Sequence, residues 1–259
     1  MPLQPAPAGS LRARILAGET LFGSFVSGGS AIHAELLARA GFDWLIVDLE
    51  HGAGTESELM GQLHAIGDRT TAIVRPQSAE RLRIGRALDA GAAGIMVPRL
   101  ETVDEVRETL PYLRYPPEGV RGLALATRGA QLGEVAHADV ASLNASIVGV
   151  FQVESPLAVE NAAEIAALDG VDVLFVGPTD LSHAMGIPGR FDEPAFVDAL
   201  RTVTDATERS GKAAAILLRK AADAPRYLEL GYGFIGIGSD LNFVIDGARS
   251  VVEAVKEAR

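Results

Sequence analysis

Short apolar runs recur along the chain, and each is followed by a stretch with helical spacing of its apolar residues. The eight candidate strands are Leu21–Val26, Trp44–Asp48, Thr71–Arg75, Gly94–Val97, Ile147–Val153, Val173–Val176, Ala214–Leu218 and Phe234–Ile237. The candidate helices are Ala31–Ala40, Ser57–Ile66, Ala79–Asp89, Val103–Leu113, Leu157–Leu168, Pro194–Ser210, Ala222–Leu230 and Leu241–Glu257. This pattern predicts a regular alternation of strand and helix.

Strands that are apolar on both faces are typical of parallel sheets covered by helices. Eight such units in a chain of 259 residues favour closure into a barrel, and an open doubly wound sheet is the alternative. The predicted fold class is therefore α/β, a single-domain (β/α)8 TIM barrel. We place the barrel at residues 11–259, after a loose Pro/Ala-rich N-terminal tail at residues 1–10.

Glycines stand where predicted helices end before the next strand, at Gly41, Gly91, Gly170, Gly211 and Gly231. Glycine is favoured there because it adopts a positive φ with little strain. These positions mark the amino-terminal face of the barrel. The polar residues that follow the strands then mark the carboxyl-terminal face, where TIM barrels carry their chemistry.

One connection, residues 115–146, is longer and richer in proline and glycine than a link between a helix and a strand requires. One interpretation is a flap that bears on the active face. The other is a plain surface loop with one short helix.

The composition of the chain argues against several classes of partner and of chemistry. The formal net charge is −11, which argues against nucleic acid and anionic membranes as partners. An anionic substrate would then need a local cation or a metal. The chain has no cysteine, which excludes disulfides, cysteine-bound zinc and a thiol nucleophile. No apolar run is long enough to span a membrane and no signal peptide is evident, so we expect a cytoplasmic protein.

Charged and polar residues are concentrated directly after the predicted strands. They are Asp48, Glu50 and His51, then Arg75, then Gln152, Glu154 and Ser155, then the segment from Gly177 to Ser182, and finally Ser239 and Asp240. A single acidic residue at such a place is more often a helix cap than a catalyst. The concentration of acid, base and cation on one face indicates an active site.

Glu154 and Asp180 follow adjacent predicted strands, so their carboxylates can approach each other. Two close carboxylates share either a proton or a cation. Mg²⁺ and Mn²⁺ take oxygen ligands and keep waters, so two carboxylates with substrate oxygens suffice, and Co²⁺ is a further candidate. Gln152 has the same side-chain parity as Glu154 and can orient a metal ligand. The simpler alternative is that Glu154 and Asp180 cap the helices that follow.

Arg75 ends an otherwise apolar strand. It is suited to hold a carbonyl or carboxylate oxygen and to stabilise negative charge there, and the alternative is an ion pair with Asp48 or Glu50. His51 is a candidate for proton transfer, with Asp89 as an acid that could fix its tautomer. The turn Gly177-Pro178-Thr179-Asp180 offers backbone N–H groups to a carboxylate.

Six short motifs occur in register with these strand ends: Asp48-Leu49-Glu50-His51-Gly52, Val74-Arg75-Pro76, Val97-Pro98, the segment from Tyr115 to Gly122, Gln152-Val153-Glu154-Ser155, and the segment from Val176 to Ser182. Together they resemble the HpcH/HpaI aldolase family, which includes 4-hydroxy-2-oxoheptanedioate aldolase and 2-dehydro-3-deoxyglucarate aldolase. The resemblance runs from about Phe22 to Asp240.

The resemblance implies a class II, divalent-metal-dependent aldolase that joins a pyruvate-type 2-oxo acid and an aldehyde. It implies Glu154 and Asp180 as metal ligands, Arg75 at the 2-oxo oxygen, and His51 as acid/base. The same resemblance implies that further residues support the catalytic groups or line the site: Asp48, Asp89, Gln152, Leu217 and the backbone of Gly177, Pro178, Thr179 and Asp180. It also implies a homo-oligomer, a hexamer in many relatives.

Two departures bear on the aldehyde. Leu49 stands where many relatives carry glycine, and Arg128-Gly129-Ala130 differs from the aromatic or serine-bearing segment expected. Both are expected near the aldehyde site, so they affect the choice of acceptor and leave the enolate chemistry intact.

Rival functions remain open at this point. A Schiff-base aldolase would need Lys220, the lysine nearest a strand's carboxyl end. A CoA-ester lyase of the citrate-lyase-β or malyl-CoA type would use a related barrel and metal pair. A phosphosugar isomerase is suggested only by the Gly236–Ser239 loop. A non-enzymatic binding protein would leave the clustered residues without a joint purpose.

Overall fold

The computed structural model describes residues 5–258. Eight parallel strands form a closed barrel in chain order, with the last strand paired to the first. They are β1 Leu21–Val26, β2 Trp44–Asp48, β3 Thr71–Arg75, β4 Gly94–Val97, β5 Val148–Val153, β6 Val173–Val176, β7 Ala213–Leu218 and β8 Tyr232–Ser239. The predicted TIM barrel is confirmed, and the open sheet is wrong.

The helices are α1 Leu11–Leu16, α2 Ala31–Arg39, α3 Glu56–Ile66, α4 Arg81–Asp89, α5 Val103–Thr109, α6 Pro156–Glu160, α7 Ala162–Ala166, α8 Pro178–Ala184, α9 Pro194–Arg209, α10 Ala224–Glu229 and α11 Asp240–Glu257. The single helix predicted at residues 157–168 is two helices that meet at Asn161, whose side-chain amide donates to the carbonyl of Glu101. The helix α1 was not predicted.

The barrel interior is filled by large side chains, and one glycine makes room for them. Trp44 stacks on Phe234 with their ring centroids 4.2 Å apart and the planes nearly parallel. A Cβ at Gly23 would lie 2.0 Å from the Trp44 ring, so position 23 must lack a side chain. Residues at alternate positions of the strands pack outward against the helices instead.

The amino-terminal end of the barrel is closed by α1. Leu11 and Ile15 are buried with the interior cluster. Arg12 contacts Asp172 at 3.0 Å, and both side chains are buried. Residues 1–10 were predicted as a tail; residues 1–4 lie outside the described residues, and Ser10 caps α1.

The long connection at residues 115–146 lies at the amino-terminal face and contacts the end of α4. Arg121 donates to Asp89 at 2.8 Å, and a Cβ at Gly129 would lie 2.1 Å from the carbonyl oxygen of Leu88. Arg128 packs over Gly91. The flap interpretation is therefore wrong within this chain, because a link from a helix to the next strand must lie opposite the carboxyl ends. Within one chain, the expectation that Arg128-Gly129-Ala130 lies near the aldehyde fails for the same reason.

The last helix, α11, carries an exposed apolar face that includes Val244, Val251, Val252 and Val255. It follows β8 directly, and Ser239 caps its first turn by accepting from the N–H of Asn242. Within residues 5–258, no helix combines the length and the apolar character needed to cross a membrane.

Candidate active site

Arg75 and Asp48 form a two-pronged ion pair at the carboxyl-terminal face. They end the adjacent strands β3 and β2 and are paired in register. Nε and Nη2 of Arg75 donate to the two carboxylate oxygens of Asp48 at 2.9 and 2.8 Å. Burial opposes ionisation of Asp48, but the hydrogen bonds and charge of Arg75 outweigh it, so the pKa of Asp48 is lowered.

A second carboxylate and an aromatic ring complete the surroundings of Arg75. Its Nη1 lies 3.1 Å from Oε2 of Glu50, and its guanidinium lies 5.3 Å from the ring centroid of Phe25. The ion pairs considered as the simpler role of Arg75 are thus both present. They hold the guanidinium rigidly in place, and one N–H on each terminal nitrogen stays free for another acceptor.

Glu154 is a half-buried carboxylate in negative surroundings. Nε2 of Gln152 donates to its Oε1 at 2.5 Å. The pKa of Glu154 is raised to about 7, chiefly by burial and then by the negative charges of Asp180 and Glu50. The positive charges of Arg75 and Arg99 oppose this rise. Glu154 does not cap α6, because Ser155 does so by accepting from the N–H of Ala158.

Asp180 lies in the first turn of α8, at the carboxyl end of β6. It is exposed, and no side chain caps this helix, so the capping role considered for it is absent. Gly177 precedes the helix and Pro178 has no N–H, which leaves the N–H groups of Thr179 and Asp180 without partners in the helix.

The oxygen atoms of this site suit a hard divalent cation. Oε1 of Gln152 is buried and has no hydrogen-bond partner among the described residues, whereas the buried Oε2 of Glu50 faces Nη1 of Arg75. In residues 5–258, no group of three His, Asp or Glu side chains converges as a metal site. A cation held by Glu154 and Asp180 would therefore take its other ligands from water or substrate, as Mg²⁺ and Mn²⁺ commonly do.

His51 lies at the mouth of the barrel. Its side chain is 72% exposed, and Nε2 is 3.8 Å from Oε2 of Glu50. The backbone N–H of His51 donates to Asp48, which fixes the loop that carries it. Asp89 ends α4 at the opposite face and is bound by Arg121. The expectation that Asp89 supports His51 is wrong within one chain, because a helix antiparallel to its strand carries its last residue to the far end.

Leu217 lies at the carboxyl end of β7, half-buried against the barrel interior. It was expected to line the site, and it lies on the carboxyl-terminal face of the barrel, where the site is.

Arg99, two residues beyond β4, was not singled out from the sequence although its charge reaches Glu154. It follows the motif Val97-Pro98 directly, so the criterion used for the other strand ends would have found it.

The fold and these residues define a TIM-barrel protein with a carboxylate-rich site that can hold a metal at the carboxyl ends of its strands. The model of the HpcH/HpaI aldolase/citrate lyase family matches residues 21–247. The chain belongs to this family and is a carbon–carbon lyase of the aldolase type.

Relatives of this chain carry more specific names. It is 36% identical to a hydroxypyruvate/pyruvate aldolase of Delftia acidovorans, over 93% of this chain and 90% of that protein. It is equally similar, at 36%, to a 5-keto-4-deoxy-D-glucarate aldolase of Klebsiella pneumoniae, over 95% and 96%. A crystal structure of a family member from Burkholderia cenocepacia superposes with a TM-score of 0.90 at 35% identity, over 95% of this chain and 98% of that one.

Proposed function

We propose that the enzyme is a divalent-metal-dependent, class II aldolase that makes or cleaves the bond between a pyruvate-type 2-oxo acid and an aldehyde. The observation that carries the proposal is the half-buried carboxylate of Glu154, which lies near Asp180 and beside Gln152, whose amide oxygen is unpaired among the described residues. The names of the two relatives above, one acting on hydroxypyruvate or pyruvate, support the same reaction class.

Glu154 and Asp180 would hold the metal, which is Mg²⁺ or Mn²⁺, with Co²⁺ as a further candidate. When bound, it supplies Lewis-acid polarisation of the keto group of the 2-oxo acid. Gln152 fixes one oxygen of Glu154 by its hydrogen bond and so directs the other carboxylate oxygen.

Arg75 would stabilise the negative charge that develops on the keto oxygen as the enolate forms. Its position is set in advance by Asp48 and Glu50, so it does not reorganise during the reaction. The backbone N–H groups of Thr179 and Asp180 would bind the substrate carboxylate, on the turn that Gly177 and Pro178 set. Leu217 would form an apolar wall.

His51 would take the proton from the C4 hydroxyl in the cleavage direction and return it in addition. Its exposure at the barrel mouth suits contact with the aldehyde portion of the substrate. If Asp89 assists His51, it must do so from another copy of the chain. We propose a homo-oligomer, a hexamer, which would also cover the exposed apolar face of α11.

The test uses the 2-oxo acid alone, so the natural aldehyde is not needed. Purified protein is incubated in D₂O with pyruvate or hydroxypyruvate and Mg²⁺ or Mn²⁺, and exchange at C3 is followed by NMR. We expect exchange that EDTA abolishes and that falls at least tenfold in Glu154→Gln and Arg75→Ala. The matched control, Glu160→Gln on the exposed surface of α6, retains it.

Absence of exchange with either acid and any of these metals would overturn the proposal. A parallel incubation with malyl-CoA then tests the alternative CoA-ester lyase activity.

A further inference from the structure

Arg99 combines a charged side chain with an unfavourable backbone at the active face. It follows β4 by two residues and has φ of 50°. In residues 5–258, only Gln131 and Leu132 are other non-glycine residues with positive φ, and both lie in the long connection. A residue with a Cβ keeps this conformation only where its surroundings enforce it, and such positions cluster at functional sites.

The left-handed backbone changes the direction of the chain at Arg99. In β4, Ile95 and Val97 pack outward against the helices, whereas Met96 packs into the barrel. Regular alternation would continue this outward series at position 99. The positive φ interrupts it at the carboxyl end of β4, beside the end of the neighbouring strand β5 that carries Glu154.

Arg99 is also free to bind. In the part of the chain that the structure describes, it makes no hydrogen bond or ion pair and its side chain is exposed. Arg75, at the end of the neighbouring strand β3, is already paired with Asp48 and Glu50. Arg99 therefore offers an unneutralised guanidinium to an incoming anion, in a protein whose net charge would otherwise repel it.

We propose that Arg99 is the specificity-determining residue that binds the carboxylate of an anionic aldehyde acceptor. This inference rests on the proposed function, in which the 2-oxo acid is held by Arg75 on β3 and by the turn after β6. Arg99 follows a different strand, β4, at the exposed rim, where the distal end of a second substrate would lie. A guanidinium is the side chain best matched to a carboxylate.

The experiment compares carboxylated with uncharged acceptors. Aldol addition to saturating pyruvate with Mn²⁺ is measured with glyoxylate and succinic semialdehyde, and with acetaldehyde and butanal as uncharged counterparts. We expect Arg99→Gln to lower kcat/KM at least tenfold for a carboxylated aldehyde, chiefly by raising its KM. The change with uncharged aldehydes stays below about twofold.

Two further variants separate charge from backbone. Arg99→Lys retains part of the preference for carboxylated aldehydes, whereas Arg99→Gly, which removes the backbone strain, loses it as Arg99→Gln does. Arg201→Gln, an exposed arginine on α9 with no ion pair in the described residues, changes the net charge by the same amount and leaves the preference intact.

Equal loss with all four aldehydes, or a higher KM for pyruvate alone, would overturn the assignment of Arg99 to the acceptor. An unchanged preference in Arg99→Gln would overturn it as well. The C3 exchange of pyruvate is measured on the same samples. If Arg99→Gln keeps both the C3 exchange and the preference for carboxylated aldehydes, only the role of Arg99 is rejected. If the unaltered enzyme shows no C3 exchange, the proposed function and this inference are rejected together.

Discussion

Gly177 stands directly against the carboxylate of Glu154: a Cβ at position 177 would lie 2.5 Å from Oε1 of Glu154. The carboxylate can keep its place beside Gln152 only if residue 177 has no side chain. The φ of Gly177 is −90°, so close approach and not backbone freedom requires glycine here. Gly177, at the end of β6, thereby helps to position the carboxylate of Glu154, which follows β5.

Gly177→Ala is expected to lower metal-dependent C3 exchange at least tenfold, because the new methyl displaces Glu154. The fold should persist, since Glu154 lies at the open face. Circular dichroism and exchange by NMR measure the two effects. Gly85→Ala in α4, where a Cβ meets nothing within 4 Å, is the control and should keep full exchange. Full exchange in Gly177→Ala would contradict the assigned position of Glu154.

Glu154→Gln is expected to stabilise the metal-free protein at pH 8. Because the pKa of Glu154 in the folded state is about 7, above its ordinary 4.5, the folded state binds more protons between these values. Stability therefore falls as pH rises through that window, and the neutral amide removes the loss. We expect the variant to gain about 1–3 kcal/mol at pH 8 and almost nothing at pH 4.

Urea unfolding in EDTA at both pH values measures this difference. Added Mn²⁺ should stabilise the unaltered protein and not Glu154→Gln. If Glu154→Gln is no more stable than the unaltered protein at pH 8, the ionised carboxylate of Glu154 does not destabilise the fold. Glu160→Gln, at an exposed position, should change neither quantity.

Asp48→Asn and Asp180→Asn are expected to separate stability from activity. Asp48 is buried and neutralises Arg75, so its loss should cost about 2–4 kcal/mol and also reduce exchange. Asp180 is exposed, so its loss should change stability by less than about 0.5 kcal/mol while exchange falls at least tenfold. Urea unfolding with C3 exchange tests both. Loss of stability in Asp180→Asn comparable to that in Asp48→Asn would contradict this division.

Gly23→Ala is expected to destabilise the barrel by about 3 kcal/mol or more, because its methyl would overlap the ring of Trp44. Gly233→Ala, in β8, is the matched control, since the nearest atom to its Cβ lies 3.8 Å away. Thermal unfolding measures both variants. Similar melting temperatures would mean that the interior can expand around Trp44.

Mixing two inactive variants tests whether Asp89 serves another copy. His51→Ala and Asp89→Asn are each expected to lose aldol activity. After the two proteins are unfolded together and refolded, a random oligomer would contain intact His51–Asp89 pairs at about a quarter of its sites. Activity regained near that fraction supports a shared site. If the mixture stays inactive, Asp89 has no such role.

The sequence by itself determined the barrel and the face on which its chemistry lies. Strands buried on both faces read as continuous apolar runs, and glycines mark the helix ends: Gly41, Gly91, Gly170, Gly211 and Gly231 all have positive φ. Both signals are local, because periodicity and φ preference act within a few residues. The strand ends were therefore predictable, and with them the positions of Arg75, Glu154 and Asp180.

Only the tertiary structure decided which of these residues meet. It engages Arg75 with Asp48 and Glu50, and it separates His51 from Asp89 by the length of the barrel. It also moves the connection 115–146 to the far face and turns the backbone at Arg99. Contacts between residues distant in the chain depend on how the closed sheet brings its strand ends together, and no local pattern of apolar and polar positions records that arrangement.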